Sequence, residues 1–519
     1  MKPINKHILI IFFYFIITTF ALAGFFINCK GKIMGNINHP NAQGEILLTD
    51  IMKNSLCNYK ILNWTNTNFL NYPYGEQLSE TIKHTFHLYI SGTLAIFTST
   101  ISAYNITFFI IILLNAYSMF LLANFIFKSY RLSFLAGLFY MFNIYFLLKI
   151  NMGSLHKSSI FFIPLYILFL LKLADTPKVS YLILTFILLI LNHLQYPMYS
   201  LYCLIFSVIF IIYRLLKNKK IKEFKYFIAV IVLSFIFLYW IGAVGKITTD
   251  MYFYENDPWN LNFIYLIKNY LARPTDLPVG ISPTILFLAL IGFFYTKTSR
   301  FYFLTSIFFI ILSFGYFITI DSIKIPLPFY FLTKCIKFFS GMILYAPIRA
   351  LPMAYVCLII SAIFGVKIIC DKFSKKIIYI TAAAFFLELF FLYPELFPIK
   401  ITNIVRYDIA EKIKNKNGDI VFLPLFDNSN KALLHKSMLI TLIATKKLAN
   451  TYEAESWVKK IIETNKPSAA LKILKQHLIK FIIIYTDLEP SNINEKALIN
   501  SIKEKTFQLD KKIILYEID

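Results

Sequence analysis

Up to about Lys400 the chain alternates long apolar runs with short turns that carry Lys and Arg. Runs such as Ile8–Ile27, Ile106–Phe127, Tyr226–Val244 and Tyr302–Ile320 exceed the roughly 18 residues needed to cross a bilayer as helices. The pattern predicts about eleven spans, over 8–27, 105–127, 131–148, 158–173, 179–194, 197–214, 226–244, 281–296, 301–319, 351–369 and 377–395. The apolar stretch 86–104 reads as a helix lying in or dipping into the interface, because a span there would move every later basic loop to the wrong side. From Lys400 the period changes. Ile420–Leu425, Phe481–Thr486 and Ile513–Tyr516 read as strands and 454–479 as helical.

The fold class is therefore an α-helical polytopic membrane protein with a small C-terminal extracytoplasmic α/β domain. The expected division is 1–398 for the transmembrane part, with a large first outer loop over 28–104, and 399–519 for the tail. Positive loops set the sides. Lys2 and Lys6 place the N-terminus in the cytoplasm. Lys128 with Arg131, Lys172 with Lys178, Arg214 through Lys225, Lys297 with Arg300, and Lys372 to Lys376 mark inner turns. An odd number of spans then puts the tail outside a bacterial inner membrane. No cleavage site of small residues follows the first run, so it reads as an uncleaved span. No internal repeat of the kind built into transporters is visible.

Composition agrees: 58% of residues are hydrophobic and mean hydropathy is +0.64, too apolar for a soluble domain of this length. The net charge of +24 would suggest nucleic acid, but the excess is scattered Lys without a basic patch interleaved with stacking aromatics. Nucleic acid is excluded as a partner. The six Cys have no metal-ligand spacing. Cys29 and Cys57 share the first outer loop, where either a disulfide or two free thiols is open.

Acidic residues are few in the apolar part, and their positions locate the chemistry. Glu45, Asp50, Glu76 and Glu80 fall in the first outer loop; Asp250, Glu255, Asp257 and Asp276 fall in the outer loop after 226–244. The inner loops hold only Asp175, Glu223 and Asp371, which leaves no place for a cytoplasmic metal-binding Asp-x-Asp. Arginine occurs six times. Arg131, Arg214 and Arg300 belong to inner turns, whereas Arg273, Arg349 and Arg406 lie outside against the trend. A guanidinium at the interface suits a lipid phosphate, which it grips with two parallel hydrogen bonds. The alternative is snorkelling or pairing with a carboxylate.

Sugar transfer from a polyprenyl phosphate needs a carboxylate to take the acceptor proton and cations for the leaving phosphate. Glu45, placed on a loop after Gly44, and Asp50, at the start of a helix over Ile51 to Leu62, are the candidate bases. Arg349 and Arg273 are the candidate phosphate ligands. His193 and Gln195 in Asn192-His-Leu-Gln-Tyr-Pro197, together with His156, Tyr72, Asp250 and Asp257, are cavity-lining candidates. Trp259 is either a sugar-stacking residue or an interfacial anchor, and Glu388 lies near the outer end of the last span. His84 and His87, with Glu80, are too few ligands for a metal centre. No cofactor is specified, and a divalent metal stays open.

These residues resemble a known class. Gly44-Glu45, a helix, and Thr67-Asn-Phe-Leu-Asn-Tyr-Pro-Tyr-Gly75 resemble the first loop of bacterial GT-C-type membrane glycosyltransferases, where a Gly-Asp pair precedes a helix and a Tyr-Pro-x-Gly segment. Ala103-Tyr-Asn-Ile106, Leu132 through Tyr145, Phe162-Ile-Pro-Leu165, Ile325-Pro-Leu-Pro-Phe329, Phe339-Ser-Gly341, Ala346-Pro-Ile-Arg349 and Leu478 through Tyr485 extend the similarity along nearly the whole chain. The resemblance implies a GT-C fold and transfer from a polyprenyl-phosphate sugar to a glycan, lipid or protein acceptor in the cell envelope. The family's Asp falls on Glu45 here, at slightly different spacing. Either Glu45 keeps the role, or Asp50 has it, or catalysis is lost. A non-catalytic scaffold of envelope assembly, a lipid-linked glycan flippase and an O-antigen ligase or polymerase are the competing readings.

Overall fold

The computed structural model describes residues 3–22, 32–37, 39–58, 66–67, 76–77, 86–218, 224–240, 280–320, 323–335, 347–403, 419–423, 458, 461–462, 466–485, 493–503, 508–510 and 513–518. It forms two compact units. The first comprises 1–27, 84–87 and 107–400; the second comprises 28–83, 88–106 and 401–519.

The first unit is helical. Among the described residues, Thr100–Phe127, Leu155–Asp175, Pro197–Lys217 and Pro347–Lys372 are long and apolar enough to cross a membrane, and the bent pair Tyr130–Met141 with Ile144–Asn151 makes a fifth. Lys6–Ala21, Phe86–Phe97, Val179–Gln195, Pro283–Tyr295 and Ile377–Leu392 are shorter apolar helices. Large apolar side chains such as Phe12, Phe287, Phe294, Ile380 and Phe391 point outward from them. In water such a surface would aggregate, whereas lipid solvates it. The chain is a multi-pass membrane protein.

Two expected elements are broken. The run 131–148 is not one straight helix: it bends by 42° between Met141 and Ile144. Asn143 causes the break. Its Oδ1 accepts from the Phe146 amide at 2.9 Å and its Nδ2 donates to the Tyr140 carbonyl at 2.6 Å, so it caps both halves. The stretch 86–104 is likewise two pieces. Phe86–Phe97 ends near Thr98, and Thr100–Phe127 begins five residues earlier than the 105–127 expected from hydropathy.

Small residues let helices approach. A Cβ on Gly292 would collide with the Ser361 carbonyl, and one on Gly365 with the Leu288 carbonyl. Pro283–Tyr295 and Leu351–Lys372 are thereby in backbone contact. Ser361 Oγ donates to the Ala289 carbonyl at 3.1 Å and shares a 2.7 Å hydrogen bond with Ser299 Oγ. Asn151 fastens the end of Ile144–Asn151 to the end of this unit. Its Nδ2 reaches the Leu396 carbonyl at 2.8 Å, and its Oδ1 accepts from the Lys400 amide at 2.7 Å. Arg214 meets Asp175 at 3.3 Å, and Arg300 donates to the last carbonyls of Pro283–Tyr295 at Phe293 and Phe294.

In the second unit Lys32–Met34 pairs antiparallel with Ile401–Asn403. Asn105 secures the first of these strands, accepting from the Met34 amide and donating to the Lys32 carbonyl. A four-stranded sheet orders Asp419–Leu423, Ile479–Tyr485, Ile513–Glu517 and Gln508–Asp510. The first pair is parallel, which requires a crossover, and the helix Pro467–Gln476 lies in that connection. Val421, Leu474, Ile482, Ile484, Leu498 and Ile502 close a core of their own. The strand expectations hold to within two residues, but the C-terminal end of the helical range 454–479 is strand from Ile479.

Candidate functional site

Helix ends of the first unit gather a cluster of cations and hydroxyls. Arg349 enters it from the short 3-10 turn Pro347–Ala350 that opens the helix Leu351–Lys372. Its side chain is buried, 4% exposed, and its Nε and Nη1 have no hydrogen-bond partner. The guanidinium stands over the Tyr196 ring, 5.1 Å from the centroid. Such a face supplies a cation with about 0.5–2 kcal/mol but leaves its N–H groups unsatisfied.

The tyrosines around it form a directed chain. Tyr199 spends its one proton on the Lys157 carbonyl at 2.6 Å. Its 2.9 Å hydrogen bond to Tyr145 therefore runs from the Tyr145 hydroxyl to Tyr199, and the Tyr145 oxygen accepts from the Arg349 side chain. The Arg349 charge acts on Tyr145, Tyr196, Tyr199 and Tyr202. The Tyr202 hydroxyl is buried with no partner.

Lys149 belongs to the same cluster. It lies in the last turn of Ile144–Asn151, is 3% exposed, and sits 5.5 Å from the Tyr145 ring centroid. Its Nζ has a weak contact with Met152 Sδ at 3.8 Å. Arg349 and Lys157 are the charges that act on it. Among the described residues no carboxylate forms an ion pair with Arg349 or Lys149. Buried cations without counter-charges are costly. What the cluster offers is a set of donors awaiting an acceptor: two guanidinium N–H groups, an ammonium and a phenol.

Beside it lies a polar strip built by the turn after Val179–Gln195. Gln195 Nε2 donates to the His156 carbonyl at 2.9 Å and to His87 Nδ1 at 3.1 Å, which fixes His87 Nδ1 as an acceptor. The His87 and His156 rings stack at 6.2 Å, and His156 lies 5.8 Å from Tyr196. Ser200 gives its proton to the Pro197 carbonyl, so His193 Nδ1, 3.0 Å away, is the donor of that pair. Gln195 Oε1 is buried without a partner. Arg349, His156 and Gln195 are thus brought together with Tyr196. Sequence reasoning missed Lys149, Tyr145, Tyr199 and Tyr202. Lys149 carried a readable signal, a single cation in the apolar run Leu147-Leu-Lys-Ile150.

The carboxylates Glu45 and Asp50 belong to the second unit. Neither is on a loop or at a helix start: both lie within the helix Pro40–Cys57. Pro40 begins it, and His39 caps it by accepting from the Asn41 amide. The helix ends at Cys57, short of the Leu62 expected. At five residues apart the two carboxylates diverge by about 140° around the axis. Glu45 is 3% exposed, and its charge acts on Tyr104. Asp50 accepts from Thr100 Oγ1 at 2.7 Å and from Asn54 Nδ2 at 3.1 Å. Burial pushes its carboxyl above the usual range, opposed by Thr100, Lys53 and Asn54.

Tyr72, Asp250, Asp257 and Arg273 lie outside the described residues, as do His84, Glu80 and Trp259. Among the described residues no group of three His, Cys, Asp or Glu is placed to hold a metal ion. Glu388 is explained in part. Its Oε2 accepts from the Thr284 amide at 2.8 Å, at the N-terminus of Pro283–Tyr295, where a carboxylate complements the helix dipole. Cys57 is a free thiol.

No protein-family model and no curated protein sequence matches the chain. Solved structures do. The oligosaccharyltransferase of Archaeoglobus fulgidus, in the apo form, is similar over 92% of this chain and 69% of its own, with 12% identity and a TM-score of 0.47. The same archaeal enzyme, AglB, in complex with an inhibitory peptide and a dolichol-phosphate, is similar with 11% identity and a TM-score of 0.43. Mycobacterial arabinofuranosyltransferase AftD is similar over 99% of this chain, with 11% identity and a TM-score of 0.49; the chain spans 41% of its length.

Proposed function

We propose that the chain is a membrane glycosyltransferase of GT-C type that moves a sugar from a polyprenyl-phosphate donor to a glycan, lipid or protein of the cell envelope. The observation that carries this reading is Arg349, buried among tyrosines with its Nε and Nη1 unsatisfied and no carboxylate among the described residues paired to it. Phosphate oxygens supply acceptors for N–H groups that lack them, and their charge compensates the buried guanidinium.

In the reaction the acceptor hydroxyl oxygen attacks the anomeric carbon. The bond from that carbon to the phosphate oxygen breaks, and the phosphate leaves with the electron pair. Arg349 stabilises the charge that develops on it. The acceptor proton passes to a carboxylate of the first outer loop, Glu45 or Asp50. Arg273 is assigned to the same phosphate, and His156, His193, Gln195, Tyr72, Asp250 and Asp257 to the cavity wall. Any divalent metal would act in addition to these groups. The topology that goes with this reading has about eleven spans in a bacterial inner membrane, with the N-terminus inside and 399–519 outside.

Native mass spectrometry of the purified protein tests it. Wild type should retain a polyprenyl-phosphate lipid, Arg349→Lys should retain part of it, and Arg349→Ala should lose it. Equal occupancy in Arg349→Ala and wild type would remove the basis of the proposal.

A further inference from the structure

The donor set around Arg349 is larger than one phosphate uses. A bidentate guanidinium satisfies the oxyanion of a single phosphate. Lys149 would then stay buried with only a thioether contact at 3.8 Å, and the Tyr202 hydroxyl would stay without a partner. Neither residue is idle packing. Among the described residues Lys149 has no counter-ion, and a buried lysine in that state is one of the more costly groups a helix bundle can hold; it persists where an anion or a conformational role compensates it. The local structure also fixes its position. Asn143 caps the start of Ile144–Asn151, Asn151 ties its end to Leu396 and Lys400, and the Ser154 amide bonds the Lys149 carbonyl at 3.0 Å. The ammonium stands against Tyr145, whose hydroxyl joins the chain to Tyr199 and the Lys157 carbonyl beside Arg349.

We propose that Lys149 and Arg349 together form a cradle for two linked phosphates, so that the lipid donor is a polyprenyl diphosphate rather than a monophosphate. Arg349 takes one phosphate. Lys149 takes the second, and the Tyr202 hydroxyl, which lies within reach of the Arg349 charge, is a further donor to the first. This rests on the reading of Arg349 as a phosphate ligand and goes further by naming the headgroup. A diphosphate brings the added negative charge that the second cation needs, and it leaves as a unit when the bond from the sugar is broken.

The test is competition binding to the full-length protein in nanodiscs, with polyprenyl monophosphate, polyprenyl diphosphate and inorganic pyrophosphate as probes. Wild type should bind the lipid diphosphate about tenfold or more tightly than the monophosphate, the worth of one extra charge-assisted hydrogen bond. Lys149→Met, which keeps the length and removes the charge, should bind both lipids alike, and Lys149→Arg should restore the preference. Arg349→Ala should lose both. Equal binding of the two lipids by wild type, or a preference that survives Lys149→Met, overturns the diphosphate cradle while the phosphate reading stands. Unchanged binding by Arg349→Ala overturns the phosphate reading itself. Inorganic pyrophosphate binding as tightly as the lipid diphosphate keeps the cradle but removes the lipid as its ligand. Circular dichroism and thermal unfolding of each variant separate loss of binding from loss of fold.

Discussion

The guanidinium of Arg349 stands over the ring of Tyr196, 5.1 Å from its centroid, in a part of the protein where no described carboxylate pairs with it. An aromatic face lowers the cost of burying a cation without cancelling its charge or satisfying its N–H groups. That is how a bundle can hold an arginine ready for an anion that comes and goes. Tyr196→Leu removes the face and keeps the bulk. It should lower the stability of the detergent-solubilised protein by about 0.5–2 kcal/mol, read as a lower Tm. Added polyprenyl phosphate should recover part of the loss, because ligand binding to the folded state is stabilising.

Asp50 gives the pH dependence. Burial raises its carboxyl above the ordinary 3.8, and the Thr100 hydrogen bond, the Lys53 charge and Asn54 oppose that rise. If Asp50 is the base, it works deprotonated. Transfer then falls as pH drops through the raised value, and Thr100→Val moves that limb to higher pH. The stability sign follows from the same shift. A carboxyl whose folded pKa is raised binds its proton more tightly in the folded state. Its favourable contribution is full below the unfolded pKa and is lost as pH rises through the folded one. Asp50→Asn should flatten that loss in a Tm-versus-pH series. A limb that is unmoved in both Asp50→Asn and Thr100→Val assigns the base to Glu45.

Asn143 is the hinge of the bent pair. Asn143→Ala removes the cap on Phe146 and leaves the Tyr140 carbonyl without its bond. The expected cost is about 1–2 kcal/mol. Because Lys149 and Tyr145 sit in the capped helix, lipid-phosphate affinity should fall with it. A normal Tm with normal affinity would contradict this role for the bend.

Gly365 and Gly292 hold Leu351–Lys372 against Pro283–Tyr295. A methyl at either meets a backbone carbonyl that has no rotamer to change. Gly365→Ala should therefore destabilise by about 1–3 kcal/mol or more, while Gly44→Ala, where a Cβ meets nothing within 4 Å, should leave the fold intact. Thermal unfolding of the two variants side by side checks the contrast.

Hydropathy made the apolar helices legible because each is a long apolar run, and most helix boundaries fall within a few residues; among the described residues four helices, or five with the bent pair, are long and apolar enough to cross a membrane. It did not show the break at Asn143. One capping side chain decides it, and the apolar pattern runs through it unchanged. Gly44 suggested a loop, yet Pro40 and the His39 cap start a helix four residues earlier and carry both carboxylates in it. Arg349 stood out because an outer arginine violates the charge pattern. The tyrosines around it did not, because a tyrosine in a membrane segment is ordinary. Their role depends on which hydroxyls the fold brings together, and that is a tertiary fact. The pairing of Lys32–Met34 with Ile401–Asn403 was invisible for the same reason.

The most direct measurement of the central claim is the envelope glycan profile of a deletion strain, read by mass spectrometry and complemented with wild type, Glu45→Gln, Asp50→Asn and Arg349→Ala, each checked for membrane abundance. The account predicts that one sugar mass disappears on deletion and returns with wild type. It should stay absent with Arg349→Ala and with one of the two carboxylate variants, each present at normal level. An unchanged profile on deletion, or full rescue by all three variants, would contradict a glycosyltransferase and leave a scaffold or a transporter.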